Sequence, residues 1–215
     1  MIQIHRFVTP KTARFAQIGD FSEGTKELIF ALHGYGQLAE AFAQNLLPLA
    51  GPDRVIICPE ALSRFYTNHR ARHAGATWMT SEDREFEIMD YVTYLDGLAA
   101  DLLEDAPEDV KVEVFAFSQG CHTASRWMGN GTFQPARLIL WGADPAHDLS
   151  PEEWDSLSDI MEITLVAGSN DEYLPEDRLI RAEEALRDHQ CTFSTVRYEG
   201  KHEIVRDVLK SLWKV

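Results

Sequence analysis

The chain has 215 residues, 45% of them apolar and 26% charged, which fits one globular domain able to bury about 70% of the surface its unfolded form exposes. Its 20 basic and 35 acidic residues leave a net charge of −15, which speaks against nucleic acid and anionic membranes as partners and favours a substrate that is small, or neutral where it is attacked. No apolar run approaches the ~18 residues of a membrane span, the first residues lack the pattern of a secretory signal, and three widely spaced cysteines (Cys58, Cys121 and Cys191) suit reduced thiols, so a cytoplasmic protein is expected.

Strand-like apolar runs alternate with amphipathic helical patterns, which predicts an α/β fold with a mostly parallel central sheet and helices on both faces. Residues 2–8 and 13–18, separated by Thr9-Pro10-Lys11-Thr12, read as an N-terminal antiparallel hairpin. A strand over 27–32, a helix over 37–49 punctuated by Gly51-Pro52, and a strand over 54–58 follow. Residues 61–79 read as one long irregular loop, usually functional inside a compact domain and too short for a large cap. A capping-box spacing from Thr80 to Asp83 then opens a helix whose Ile88, Met89, Val92, Leu95, Leu98, Leu102 and Leu103 form one apolar stripe. The strand over 112–115 leads through Ser118 into a helix, and strands over 137–141, 162–167 and 192–198 follow. Between them lie helices over 151–157 and, opened by Pro175, 175–188. A closing helix carries Ile204, Val205, Val208, Leu209, Leu212 and Trp213 on one side.

Ala116-Phe117-Ser118-Gln119-Gly120, set between a strand and a helix, has the form of a nucleophile elbow, with Ala116 where a glycine is more usual. A serine hydroxyl is a weak nucleophile and needs a base within hydrogen-bond reach and a carboxylate to orient that base. Gly168-Ser169-Asn170-Asp171 and Gly200-Lys201-His202 each follow a predicted strand, in the order serine, acid, histidine. They make Ser118, Asp171 and His202 the candidate catalytic residues. The amide of Gln119 and, from Leu32-His33-Gly34-Tyr35-Gly36, the amide of Tyr35 are the candidate oxyanion donors. His33 in that turn reads as structural.

These four motifs, with Pro175 beyond Asp171, resemble the phospholipase/carboxylesterase family of α/β-hydrolases, which includes acyl-protein thioesterases and small bacterial esterases. The resemblance runs over nearly the whole chain. It implies an α/β-hydrolase fold without a large cap domain, a Ser118–Asp171–His202 triad, hydrolysis of carboxylic esters or thioesters, and no cofactor. The chain departs from that family at Ala116 and at Thr77-Trp78-Met79-Thr80, where an aromatic and an aspartate usually follow the tryptophan.

Asp144, after the preceding strand, is the rival for the acid, and His189, at a helix end, is poorly placed as a base. Cys121 reads as packed and Trp78 as a wall of the acyl pocket or a core residue. Arg64, Arg70, Arg72 and His73 cluster in the 61–79 stretch, where Arg70 and Arg72 are candidates to hold an anionic part of a substrate. His69 and His73 stand four apart with no helix or third ligand near, so no metal site is expected. The competing readings are an acyltransferase on the same residues and a silent ligand-binding protein of this fold.

Overall fold

The computed structural model describes residues 1–68 and 70–215; His69 lies outside them. Seven strands form the central sheet: β1 (Phe15–Ile18), β2 (Glu27–Leu32), β3 (Arg54–Pro59), β6 (Lys111–Phe117), β7 (Arg137–Trp141), β8 (Glu162–Gly168) and β9 (Phe193–Tyr198). Their spatial order is β1-β3-β2-β6-β7-β8-β9, with only β1 antiparallel to its neighbour. The remaining strands, β4 (Ser63–Asn68) and β5 (His73–Thr77), pair as a separate antiparallel hairpin.

Alternation along the buried strands sends side chains to two cores. Leu28, Phe30 and Leu32 of β2, with Val114 and Ala116 of β6, face the core covered by α2 (Arg84–Glu104), α3 (Gln119–Asn130), α4 (Pro151–Ser158) and α5 (Glu176–Asp188). Ile29, Ala31, Phe115 and Phe117 face the opposite core, covered by α1 (Ala39–Ala43), a 3₁₀ segment at Gln44–Leu49 and α6 (Arg206–Trp213). The closing stripe read from the sequence contributes Leu209 and Trp213 to this second core. No helix among the described residues is long and apolar enough to cross a membrane.

Three expectations need correction. Residues 2–8 form no strand: β1 instead borders β3, with Phe15 opposite Pro59 and Ile18 opposite Ile56, and Ile2, Ile4, Phe7 and Val8 stay exposed. The stretch 61–79 is not irregular, since most of it forms the β4–β5 hairpin. The helix after it starts at Arg84, four residues later than the expected cap, with Asp83 left-handed and no side-chain cap. The capping box that does form belongs to α4, where Ser150 and Glu153 bond each other's backbone N–H.

In a parallel sheet every chain crossing ends at the same edge. The carboxyl ends of β2, β6, β7, β8 and β9 therefore bring residues 33–37, Ser118, 142–144, Asp171 and His202 to one side of the molecule.

Candidate active site

Ser118 occupies the single residue between β6 and α3 at φ 55° and ψ −121°. This left-handed conformation is unusual for a residue with a Cβ and costs about 1–3 kcal/mol, which the surrounding structure must supply. Its N–H donates to the Trp141 carbonyl at 2.9 Å, and its own carbonyl accepts from Cys121 N–H at 2.9 Å. Gly120 is required by contact, because a Cβ there would run into the carbonyl oxygens of Leu32 and His33. Ala116, by contrast, is fully buried within β6, where its methyl joins the core under α2 and α3.

His202 Nε2 lies 2.8 Å from Ser118 Oγ and His202 Nδ1 2.8 Å from Asp171 Oδ2. The Asp171 side chain is inaccessible to solvent, and its other oxygen accepts from the N–H groups of Tyr173 at 2.8 Å and Leu174 at 3.2 Å. A carboxylate only accepts, so the imidazole proton sits on Nδ1 and Nε2 is left to accept from the serine hydroxyl. The ring stands between Phe117 at 4.8 Å and Tyr173 at 4.5 Å. Beneath it is Gly142 at φ 74°, where a Cβ would come within 2.9 Å of His202 Cε1.

Tyr198, which the sequence did not single out, holds the histidine turn. Its hydroxyl is 2.8 Å from the Lys201 carbonyl and 2.7 Å from that of Glu203, on either side of His202. It also accepts from Trp141 Nε1 at 3.1 Å. The acid and histidine turns are stitched together by Ser169 N–H to Tyr198 O and Asn170 N–H to Gly200 O, both 2.8 Å.

Asp144 is engaged elsewhere: Arg178 grips it through Nε at 2.9 Å and Nη2 at 2.6 Å, and His122 Nε2 lies 3.2 Å away. Burial pushes its carboxyl upward, but the hydrogen bonds from His122 and Arg178 and the Arg178 charge outweigh that and hold it well below the usual carboxylate range. His189 stacks on Trp154 at 4.4 Å, away from this edge. Cys121 is buried against the Ala116 and Trp141 carbonyls, where burial raises its thiol pKa and keeps it protonated.

The turn after β2 abuts the elbow: a Cβ on Gly34 would lie 3.1 Å from Ser118 Cβ. Among the described residues neither the Tyr35 nor the Gln119 N–H donates to a protein acceptor, and the latter is a first-turn helical N–H with no partner inside its helix. Gln37 Oε1 accepts the Gly34 N–H at 2.8 Å. His33 is structural as read: Nε2 accepts from Ala61 N–H at 3.0 Å and Nδ1 donates to Gly34 O at 2.8 Å, while burial lowers its pKa and keeps it neutral. Trp78 is 2% exposed and donates Nε1–H to the His33 carbonyl at 2.8 Å. It packs in the core against Tyr91 of α2 and holds the turn through that bond.

The hairpin is attached to the same turn through Gly36 N–H to Ala76 O at 2.8 Å and Ala76 N–H to Gln37 O at 3.1 Å. The Gln119 side chain adds a second attachment, accepting from Trp78 N–H and donating to Met79 O and Thr77 Oγ1. Arg64 leaves the expected basic cluster, because with Arg14 and Ala39 N–H it satisfies the buried Glu60 carboxylate. Arg70, Arg72 and His73 are exposed around the hairpin tip, with no ion pair to either arginine among the described residues. No group of three or more His, Cys, Asp or Glu placed to hold a metal ion occurs among the described residues.

A hydroxyl bonded to an imidazole that is bonded in turn to a buried carboxylate, beside two unpaired backbone N–H groups, is suited to acyl transfer through the serine. The sheet order, the helices on both faces and the position of these residues define an α/β-hydrolase fold. No protein-family model and no curated protein sequence matches the chain. Its structure is similar to that of acyl-protein thioesterase 2 from Zea mays, with 22% identity, 94% of this chain and 99% of that one covered, and a TM-score of 0.69. A phospholipase/carboxylesterase from Dyadobacter fermentans covers 97% of this chain and 98% of its own at 16% identity and a TM-score of 0.68. The esterase PE8 covers 94% and 96% at 21% identity and a TM-score of 0.65. At these identities the shared property is the fold, and the names agree with the resemblance drawn from the motifs.

Proposed function

We propose that the protein is a serine hydrolase that cleaves carboxylic esters or thioesters of small to medium acyl groups through an acyl-enzyme. The observation that carries this reading is the line from Ser118 Oγ to His202 Nε2 and from His202 Nδ1 to Asp171, each step 2.8 Å. In this mechanism His202 takes the Ser118 proton as the hydroxyl attacks the carbonyl carbon. The N–H groups of Tyr35 and Gln119 receive the developing negative charge, a contribution of about 10²–10³ in rate for one such donor. His202 then protonates the departing alcohol or thiol, and water, activated by the same imidazole, releases the acid. The thioesterase, esterase and phospholipase/carboxylesterase names of the structural neighbours support this chemistry. Arg70 and Arg72 would meet an anionic group carried on the acyl part of a substrate as it approaches past the hairpin.

A fluorophosphonate probe tests the proposal. The protein labels covalently with loss of p-nitrophenyl ester hydrolysis, and Ser118→Ala abolishes both. A folded wild-type protein that neither labels nor hydrolyses any of a graded series of esters is a ligand-binding relative instead.

A further inference from the structure

A cleft of about 280 Å³ adjoins the imidazole, lined by Gln37, Asn45, Phe117, His202, Glu203 and Ile204. Its place gives it a meaning in the proposed reaction, on which this inference rests. The proton that His202 Nε2 takes from Ser118 must pass to the oxygen whose bond to the acyl carbon breaks, so the departing group lies on the imidazole side of that carbon. The cleft has His202 as a wall and Phe117, the residue before the nucleophile, beside it. Its volume is at the lower end of the ~300–1,000 Å³ typical of small-molecule pockets, enough for a compact head group.

The polar groups around it specify chemistry. Gln37 uses Oε1 for the Gly34 N–H, which leaves its two amide N–H donors. Asn45 uses one Nδ2 N–H for the Phe42 carbonyl, which leaves Oδ1 as an acceptor and a second N–H as a donor. Glu203 adds a carboxylate that joins no ion pair among the described residues, while its backbone carbonyl is held by Tyr198 and Trp141. The cleft thus offers both donors and acceptors beside the apolar Phe117 and Ile204, with Asn45 and Glu203 exposed at its rim. Hydroxyl groups, which donate and accept together, satisfy such a set. A phosphate or carboxylate would face Glu203 with no lysine or arginine lining the cleft, in a chain of net charge −15. An ammonium group would leave the Gln37 donors unused.

We infer that this cleft is the leaving-group subsite and that it selects esters of a small, neutral polyol, such as a glyceryl ester, over esters of a plain or charged alcohol. Two or three hydrogen bonds of ordinary net strength predict a preference of about ten- to a hundredfold.

The test compares kcat/KM for four butyrate esters that share one acyl group: glyceryl, propyl, phosphoglyceryl and choline. Wild-type protein prefers the glyceryl ester to the propyl ester at least tenfold and to both charged esters by more. Glu203→Ala and Asn45→Ala, on separate elements, each bring the glyceryl-to-propyl ratio down toward one. Equal rates on glyceryl and propyl esters, a preference for the phosphoglyceryl or choline ester, or an unchanged ratio in both variants overturns the inference while leaving ester hydrolysis in place. Hydrolysis of none of the four, without fluorophosphonate labelling, is a failure of the underlying reading and is recognised as such.

Discussion

Replacing Asp171 by Asn probes the proton logic of the site with little change in shape. Asp171 Oδ1 accepts from two backbone N–H groups, Tyr173 and Leu174, and these contacts decide which way an amide would sit. Only the amide oxygen can take that place, so the NH₂ group would be turned toward His202 Nδ1, now 2.8 Å away. Two donors cannot share a hydrogen bond, and the imidazole responds by moving its proton to Nε2. The nitrogen facing Ser118 is then a donor and cannot take the hydroxyl proton. A wrong tautomer in an otherwise intact serine–histidine–aspartate site costs about 10⁴ in kcat, close to 5.4 kcal/mol of transition-state stabilisation. The measurement is kcat for a soluble p-nitrophenyl ester beside circular dichroism and a melting curve, with the variant expected to fold because both backbone N–H bonds survive. A folded Asp171→Asn protein that retains more than a tenth of wild-type kcat would refute the reasoning.

Tyr198→Phe removes the hydroxyl shared by the two carbonyls flanking His202, leaving each with one partner: the Glu203 N–H for Lys201 O and the Trp141 Nε1–H for Glu203 O. A loss of about 0.5–1.5 kcal/mol in urea unfolding is expected, with kcat falling more than KM rises. An unchanged kcat in the folded variant removes Tyr198 from any positioning role. Changing Arg70 and Arg72 together to Ala raises KM for esters whose acyl part carries a carboxylate or phosphate and leaves neutral esters alone; an equal change for both kinds ends the proposed contact. Asp144 has a depressed pKa in the folded state, so the stability it contributes is present above the ordinary aspartate value and lost as pH falls through its lower folded value. The melting-temperature gap between wild type and Asp144→Asn is therefore full at pH 6 and narrows below about pH 4; a gap constant down to pH 3 contradicts the Arg178–His122 account.

What could be read from the sequence is what depends on short-range pattern. Ser118 and Asp171 follow buried apolar strands and His202 follows the half-exposed edge strand β9, and a parallel sheet places all these strand ends on one edge, so residue type and order were enough to bring them together. The β4–β5 hairpin was illegible because Ser63–Asn68 is half exposed and its pairing is fixed by contacts of Ala76 with the turn after β2, far away in the chain. Residues 2–8 have a strand's composition, yet strand formation needs a neighbour, and Phe15–Ile18 holds the edge of β3. The clamps made by Tyr198 and the Gln119 side chain act on backbone carbonyls and amides, which carry no residue-type signal.

The hairpin divides into two regions with different freedom. Its root is hydrogen-bonded to the segment that presents the Tyr35 amide, so a change near Ala76 or Thr77 is transmitted to the reacting centre. Its tip at Arg70 and Arg72 shares none of those bonds, which makes it an interchangeable adaptor: the turn could be lengthened, shortened or recharged to suit another family of esters while the proton relay stays as it is.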